Sequence, residues 1–221
     1  MLKQTLMFPL LGGALLMGLA FSGTAAAAAQ FCAASSTLDV TDVTWEGTNS
    51  NDCYGIVTST NVADTTLQAA LNAEPLLSAW GGGWSFVVKD DNESLSNTGS
   101  FAGVNFTLDA DVGSVEGNWT LSWSGALPKT FDMVVTLKGG GGTNWVAYLF
   151  NAVDFPVNPA SGTGTFLIKI PVGIGNPSEL SGLSLFMRDS VSVPEPSTLA
   201  LLGLGMLALG MVRRRKLNVT G

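Results

Sequence analysis

The sequence predicts an all-β fold over residues 30–192, a single β-sandwich of jelly-roll type with one short helix. Apolar and polar residues alternate with a period of two in several short runs, which is typical of strands with one buried face. Glycine-containing turns separate these runs, as they do between antiparallel strands. No linker divides the region, so we expect one domain.

The alternation is clearest in residues 119–124, where Trp119, Leu121 and Trp123 alternate with threonine and serine. Residues 131–138 repeat the pattern and place one apolar face opposite a more polar one. Both runs therefore predict strands that bury a single face.

Residues 145–150 are apolar on both faces, which predicts a central strand that is covered on both sides. Turns such as Ser161-Gly162 end the runs. In chain order, the predicted strands are 38–45, 54–58, 84–89, 104–109, 119–124, 131–138, 145–150, 166–170 and 183–187.

One short helix is predicted between the second and third strands. Asp64 can cap it, and Leu67, Ala70 and Leu71 then lie on one face. Pro75 is expected to end the helix, because a proline cannot continue the hydrogen-bonding pattern.

The beginning of the chain has the three parts of a secretory signal peptide. Lys3 supplies a positive charge, residues 6–21 are apolar, and residues 24–29 are small. We expect cleavage after Ala29, so that residues 1–29 are removed. A retained N-terminal anchor is the alternative.

The chain ends in a rigid element, an apolar segment and a basic stop. Residues 194–196 read Pro-Glu-Pro, and the prolines keep them extended because they fix φ and lack an N–H. Residues 199–212 are a predicted transmembrane helix, although 14 residues rise only about 21 Å against a bilayer core of about 30 Å. The cations at 213–216 are expected to hold the tail, residues 217–221, in the cytoplasm.

This arrangement over residues 193–216 resembles the PEP-CTERM sorting signal of Gram-negative bacteria. The resemblance implies a protein that is exported, transiently anchored in the inner membrane and cut by an exosortase. It further implies a role at the cell surface or in an extracellular matrix rich in exopolysaccharide, such as a biofilm. An ordinary stop-transfer anchor is the alternative. The residues that carry the resemblance are Val193, Pro194, Glu195, Pro196, Arg213, Arg214 and Arg215.

The exported region is strongly acidic once both signals are set aside. Residues 30–196 hold five lysines or arginines against all 17 acidic residues, a net charge near −12. Such a charge repels nucleic acid, so we expect no nucleic-acid partner, and it favours divalent cations or neutral glycans.

The two cysteines, Cys32 and Cys53, both lie in the exported region. An even pair in an oxidising compartment predicts a disulfide. A redox or metal-binding thiol pair is the alternative, but the sequence has neither a CxxC spacing nor a histidine.

Catalysis by the commonest hydrolytic arrangements is excluded, because the chain has no histidine for a catalytic triad or a Cys-His pair. Carboxylate pairs could still support glycoside hydrolysis. The two acidic clusters fall in predicted loops, however, where acidic residues usually serve as solvated turn residues. They are 90, 91 and 93, and 109, 111 and 116. We therefore expect a protein that is not an enzyme.

The second cluster also suggests a calcium site. Asp109, Asp111 and Glu116 would offer carboxylate oxygens, which a flexible loop could fold around a hard cation. The spacing does not match an EF-hand, and solvated turn residues are the favoured interpretation of this cluster, so that no cofactor is expected.

The six tryptophans suggest glycan binding, because an exposed indole can stack on a sugar ring. Trp80 and Trp84 flank three glycines and are the best candidates for exposure. Core packing is nevertheless the interpretation that the sequence favours for each of them.

The sequence as a whole thus predicts an exported, exosortase-processed structural protein of the surface or matrix, associated with exopolysaccharide. The alternative function is a lectin-like, carbohydrate-binding module, with or without the assistance of calcium.

Overall fold

The computed structural model of the chain describes residues 30–59, 63–91, 97–139, 143–172 and 176–190. Its strands are β1 (Gln30–Phe31), β2 (Thr44–Trp45), β3 (Thr48–Asn49), β4 (Asp52–Thr58), β5 (Ser85–Asp90), β6 (Asn97–Phe101), β7 (Val104–Ala110), β8 (Glu116–Gly125), β9 (Lys129–Gly139), β10 (Asn144–Phe155), β11 (Ser161–Leu167), β12 (Pro171–Val172), β13 (Asn176–Pro177) and β14 (Gly182–Asp189). Two helices, α1 (Asp64–Leu71) and α2 (Leu76–Trp80), lie between β4 and β5.

The strands form two packed antiparallel sheets and two short ribbons. The larger sheet has six strands in the order β1-β4-β10-β9-β14-β5, and the smaller has four in the order β11-β8-β7-β6. β6, β7 and β8 make a meander, whereas β14 returns from the end of the described chain to lie between β9 and β5. The predicted all-β sandwich is confirmed.

The main hydrophobic core lies between the two sheets. Its members come from alternate positions of the strands, because successive side chains of a strand point to opposite faces. Trp119, Leu121 and Trp123 from β8 meet Phe131 and Phe155 from the larger sheet, as the alternation in residues 119–124 predicts. The stacked pair of Trp45 with Trp119 and the edge-on pair of Trp123 with Phe155 are arrangements that aromatic side chains prefer.

A second core covers the outer face of the larger sheet. Leu67 and Leu71 of α1 and Trp80 of α2 pack with Trp84 against residues of β9, β10 and β14, including Phe186. The larger sheet is therefore buried on both faces. This confirms the prediction that residues 145–150 form a central, covered strand.

The same covering corrects the prediction for residues 131–138. The polar face of this run was expected to meet solvent, yet Asp132, Thr136 and Lys138 are buried beneath the helices and their connections. The alternation within residues 131–138 could not predict this burial, because the helices that cover the strand come from a different part of the chain.

Three further segments differ from the predicted strands. Residues 38–45 form a 3-10 turn, Val40–Asp42, followed by the two-residue strand β2. The strand predicted at 166–170 begins earlier and ends at Leu167, so that Ser161-Gly162 lies within β11 and not in a turn. β6 was not predicted, because its sequence Asn-Thr-Gly-Ser-Phe has little apolar alternation.

The helical region also departs from the prediction. Asp64 is the first residue of α1 and not its cap, and its carboxylate accepts from Lys138 and Ser184 of the larger sheet. Pro75 does not end the helical region, because it immediately precedes the second helix, α2.

Neither helix of the described residues is long and apolar enough to span a lipid bilayer. The predicted signal peptide, residues 1–29, and the predicted transmembrane helix, residues 199–212, lie outside the described residues.

Candidate functional site

The disulfide between Cys32 and Cys53 is confirmed. Cys32 begins a 3-10 turn directly after β1, Cys53 is a buried residue of β4, and their Cα atoms are 5.1 Å apart. The bridge closes a separation of 21 residues, which on the chain-entropy estimate stabilises the fold by about 3 kcal/mol. It therefore ties β1, which is the edge strand of the larger sheet, and the turn after it to the neighbouring strand β4.

Trp80 and Trp84 do not form an exposed sugar platform. Both indoles are buried, with Trp80 at 4% exposure and Trp84 at 1%. Their N–H groups are also engaged, since Trp80 donates to the Asp52 carboxylate at 2.8 Å and Trp84 donates to the Gly81 carbonyl at 2.8 Å. Both residues pack in the second core, as the favoured interpretation of the sequence predicts, and the hypothesis of an exposed glycan-binding pair is corrected.

The guanidinium of Arg188 packs against Trp84 in the same region. Its carbon lies 4.4 Å from the centre of the Trp84 ring, a cation–π contact. Two of its nitrogens donate to one oxygen of Asp132, at 2.9 and 2.8 Å, and the other Asp132 oxygen accepts from the backbone of Ala152. The pair is nearly buried, so neither charge is available to a ligand.

Asp109, Asp111 and Glu116 do not converge on one point. Asp111 and Glu116 line a cleft of about 500 Å³, whereas Asp109 lines a neighbouring cleft of about 440 Å³ that Glu116 does not reach. Asp111 accepts from the backbone N–H of Asn118 at 2.7 Å. Among the described residues, no group of three or more acidic, cysteine or histidine side chains is placed to hold a metal ion.

The larger of these clefts also reaches a buried carboxylate that sequence reasoning missed. Asp42, which is 2% exposed, accepts from Lys169 at 2.6 Å, from the backbone of Asp39 at 2.8 Å and from the Tyr148 hydroxyl at 3.3 Å. Burial first, and the neighbouring charge of Asp42 second, raise the pKa of Tyr148 above its usual range. All three partners of the Asp42 carboxylate belong to the sandwich itself. The carboxylate therefore stabilises the fold by linking these parts of the chain.

The acidic cluster at 90, 91 and 93 is divided by the fold. Asp90 ends β5 and is completely buried, so it is not the solvated turn residue that was expected. Its carboxylate accepts from the backbone of Ala110 at 2.8 Å and from the side chain of Asn97 at 3.2 Å. Asp91 is exposed and pairs with Lys89. Residue 93 lies outside the described residues.

The most unusual surface is the outer face of the four-stranded sheet, which we call the hydroxyl face. Its side chains are exposed or half-buried, and all but three are uncharged serine, threonine or asparagine. The exceptions are two acids, Asp109 and Glu116, and the apolar Leu167, which lies opposite Glu116 at one end of the face. The members are Thr98, Ser100, Asn105, Thr107, Asp109, Glu116, Asn118, Thr120, Ser122, Ser124, Ser161, Thr163, Thr165 and Leu167.

Comparison with known proteins identifies the end of the chain. The family model for the PEP-CTERM protein-sorting motif matches residues 192–216, which directly follow the last described residues. Neither a curated protein nor a solved structure matches the chain. The motif directs a protein to export and to processing by exosortase, a membrane protease, and the resemblance noted over residues 193–216 is confirmed. The chain therefore carries a PEP-CTERM sorting motif at residues 192–216, which implies a protein that is exported and processed by exosortase.

Proposed function

We propose that this protein is a structural, non-enzymatic component of the cell surface or extracellular matrix, associated with exopolysaccharide. The observation that carries the proposal is the sorting motif at residues 192–216, which begins three residues after β14 ends at Asp189. Cleavage near the motif would release the sandwich with almost no additional chain. We expect the inner membrane to be only a transient anchor.

The ion pairs and buried carboxylates of the exported region support a structural role for the protein. Four of the five cations in the exported region form ion pairs with aspartates, and three of these pairs include a nearly buried carboxylate or cation. Asp42, Asp90 and Asp132 are each satisfied by groups of the fold itself. Groups held in this way are poor general acids or bases, because moving a proton would break the contacts that stabilise the sandwich.

The proposal is tested by following the chain in cells with and without exosortase. Intact-mass analysis of surface protein from exosortase-positive cells should show loss of the residues beyond the Pro-Glu-Pro element, including Arg213. A Pro194→Ala/Pro196→Ala variant serves as the matched control and should keep its tail. The processed protein should fractionate with extracted exopolysaccharide.

Two results would contradict the proposal. One is a full-length chain that still carries Arg213 in cells with active exosortase. The other is release of reducing sugar from the matrix polysaccharide by the purified protein, which would show an enzyme.

A second candidate function is a lectin-like, carbohydrate-binding module, and the hydroxyl face favours it. We expect this binding to need no calcium, since the acidic side chains of the described residues do not gather into a metal site. Addition of EDTA should then leave binding unchanged, whereas a loss of binding would support the calcium-assisted form.

A further inference from the structure

We infer that the hydroxyl face is a binding platform for a neutral polysaccharide chain that lies flat across the four strands. The inference rests on the proposed function for its setting, a polysaccharide layer outside the cell. It adds the surface that makes the contact and the chemical class of polymer that this surface selects.

The hydroxyl face is a regular array. The antiparallel register sets Thr98 opposite Thr107, Thr107 opposite Ser122, and Ser122 opposite Ser161, so that one row of hydroxyls crosses all four strands. Neighbouring strands lie about 4.8 Å apart, and same-face side chains along a strand repeat at about 6.8 Å. Each hydroxyl can donate and accept a hydrogen bond, as the hydroxyls of a sugar polymer can.

A second row shows that the array is two-dimensional. Asp109 lies opposite Thr120, and Thr120 lies opposite Thr163. The edge of the sheet at this point is also held in place, because the backbone of Glu46 donates to the Thr163 carbonyl at 2.8 Å, and the Thr44 and Thr165 hydroxyls bond at 2.7 Å. The polar groups are therefore positioned before any ligand arrives, which lowers the entropic cost of binding.

The charge of the face selects a neutral partner. Protein design aims for a soluble surface that is about a quarter to a third charged, yet only Asp109 and Glu116, both acids, carry a charge among the fourteen members of this face. No cation on the face could bind an acidic polymer, and the exported region around it is strongly acidic. An anionic polysaccharide would thus be repelled, whereas a neutral one meets neither repulsion nor an unpaired charge.

The binding mode differs from aromatic stacking, because no aromatic side chain is a member of the face. Each new hydrogen bond replaces one to water and contributes little by itself. We therefore expect affinity to be weak for short oligosaccharides and to grow with the length of the polymer, as repeated contacts along one chain add up.

The test uses the full chain, purified in detergent, in affinity electrophoresis through gels that contain hydroxyethyl cellulose or alginate. Hydroxyethyl cellulose is a neutral polymer and alginate an anionic one. We expect the neutral polymer to retard the protein and the anionic polymer to have no effect. The variant Thr120→Lys/Ser122→Lys places two long side chains in the centre of the face and should bind about tenfold more weakly.

The matched control is Ala69→Lys/Ala79→Lys, which adds the same charge at exposed positions of α1 and α2. It should be retarded like the unaltered chain, and circular dichroism should show the same melting for both variants. The inference is overturned if the unaltered chain is not retarded by the neutral polymer, if both variants are retarded equally, or if only alginate retards the chain.

These outcomes are separate from those of the proposed function. A tail that is never removed in cells would contradict exosortase processing without changing the electrophoretic result. Conversely, if hydroxyethyl cellulose did not retard the protein, the proposals of exosortase processing and of a matrix location would still stand.

Discussion

At the scale of single residues, three buried carboxylates of this sandwich, those of Asp42, Asp90 and Asp132, are held by hydrogen bonds within the fold. The carboxylate of Asp42 is an example, since it is held by Lys169, by the backbone of Asp39 and by the hydroxyl of Tyr148. A buried charge without such partners would cost several kcal/mol. The group therefore fixes the 3-10 turn before β2 to the central strand β10.

Tyr148 gives the molecule a predictable response to alkaline pH. An unfolded tyrosine has a pKa near 10, and burial beside Asp42 raises the pKa in the folded protein. The contribution of this group to stability is thus fully present below about pH 10 and is lost as pH rises further, by at most about 1.4 kcal/mol per pH unit.

Urea unfolding between pH 8 and 11 of the unaltered chain and of Tyr148→Phe measures this effect. At pH 8 the variant should be less stable by about 1 kcal/mol, the usual net contribution of a hydrogen bond. Above pH 10 the difference should shrink, because only the unaltered chain has the Tyr148 phenol, which ionises once the chain unfolds, whereas Tyr54 is common to both chains. Stability curves that stay parallel up to pH 11 would contradict the assignment.

At the scale of secondary-structure elements, the two helices are the outer layer of the larger sheet. α2 inserts the indole of Trp80 into the second core, where its ring meets Phe31 edge-on and its N–H binds Asp52. The same helix leaves Leu77 at 41% exposure. The short helix α2 therefore carries two hydrophobic side chains, of which Trp80 is buried and Leu77 is exposed.

These two positions make a matched pair of variants. Trp80→Ala should lower the free energy of unfolding by about 3–5 kcal/mol, as truncation of a buried tryptophan does. Leu77→Ala should lower it by less than about 1 kcal/mol, because its side chain is largely solvated. Urea denaturation measures both, and an equal effect of the two substitutions would show that Trp80 is not packed as described.

At the scale of the whole molecule, the two sheets meet most closely where β5 of one passes β6 of the other. Gly99 of β6 lies so near the carbonyl of Val87 that a Cβ atom there would overlap the oxygen. Beside this contact, the carboxylate of Asp90 binds Ala110 of β7 and Asn97 of β6. Gly99 thus allows the edge strands β5 and β6 to approach closely, and the buried carboxylate of Asp90 links the two sheets by hydrogen bonds.

Replacement of Gly99 by alanine should force this edge apart and lower the free energy of unfolding by about 1–3 kcal/mol, the usual cost of overpacking. The neighbouring Ser100→Ala substitution is the control, since Ser100 is exposed on the hydroxyl face and should change stability little. Thermal unfolding by circular dichroism compares them. A Gly99→Ala protein that melts at the same temperature as the unaltered chain would show that β5 and β6 do not approach each other closely at Gly99.

The sequence by itself determined the features that depend on local pattern or composition. The alternation of Trp119, Leu121 and Trp123 is a property of one strand, and residues 145–150 are apolar on both faces whatever covers them. The pairing of Cys32 with Cys53 follows because the chain has no other cysteine. The sorting motif at 192–216 is likewise recognised from contiguous residues.

Only the tertiary structure decided which polar residues are buried and which surfaces are left open. Asp90 and Asp132 look like surface residues from their neighbours in sequence, but strands and helices from distant parts of the chain cover them. β6 became a strand because β7 supplied its hydrogen bonds. The hydroxyl face, too, exists only because the register aligns four separate strands, and a register is set by contacts that no single stretch of sequence contains.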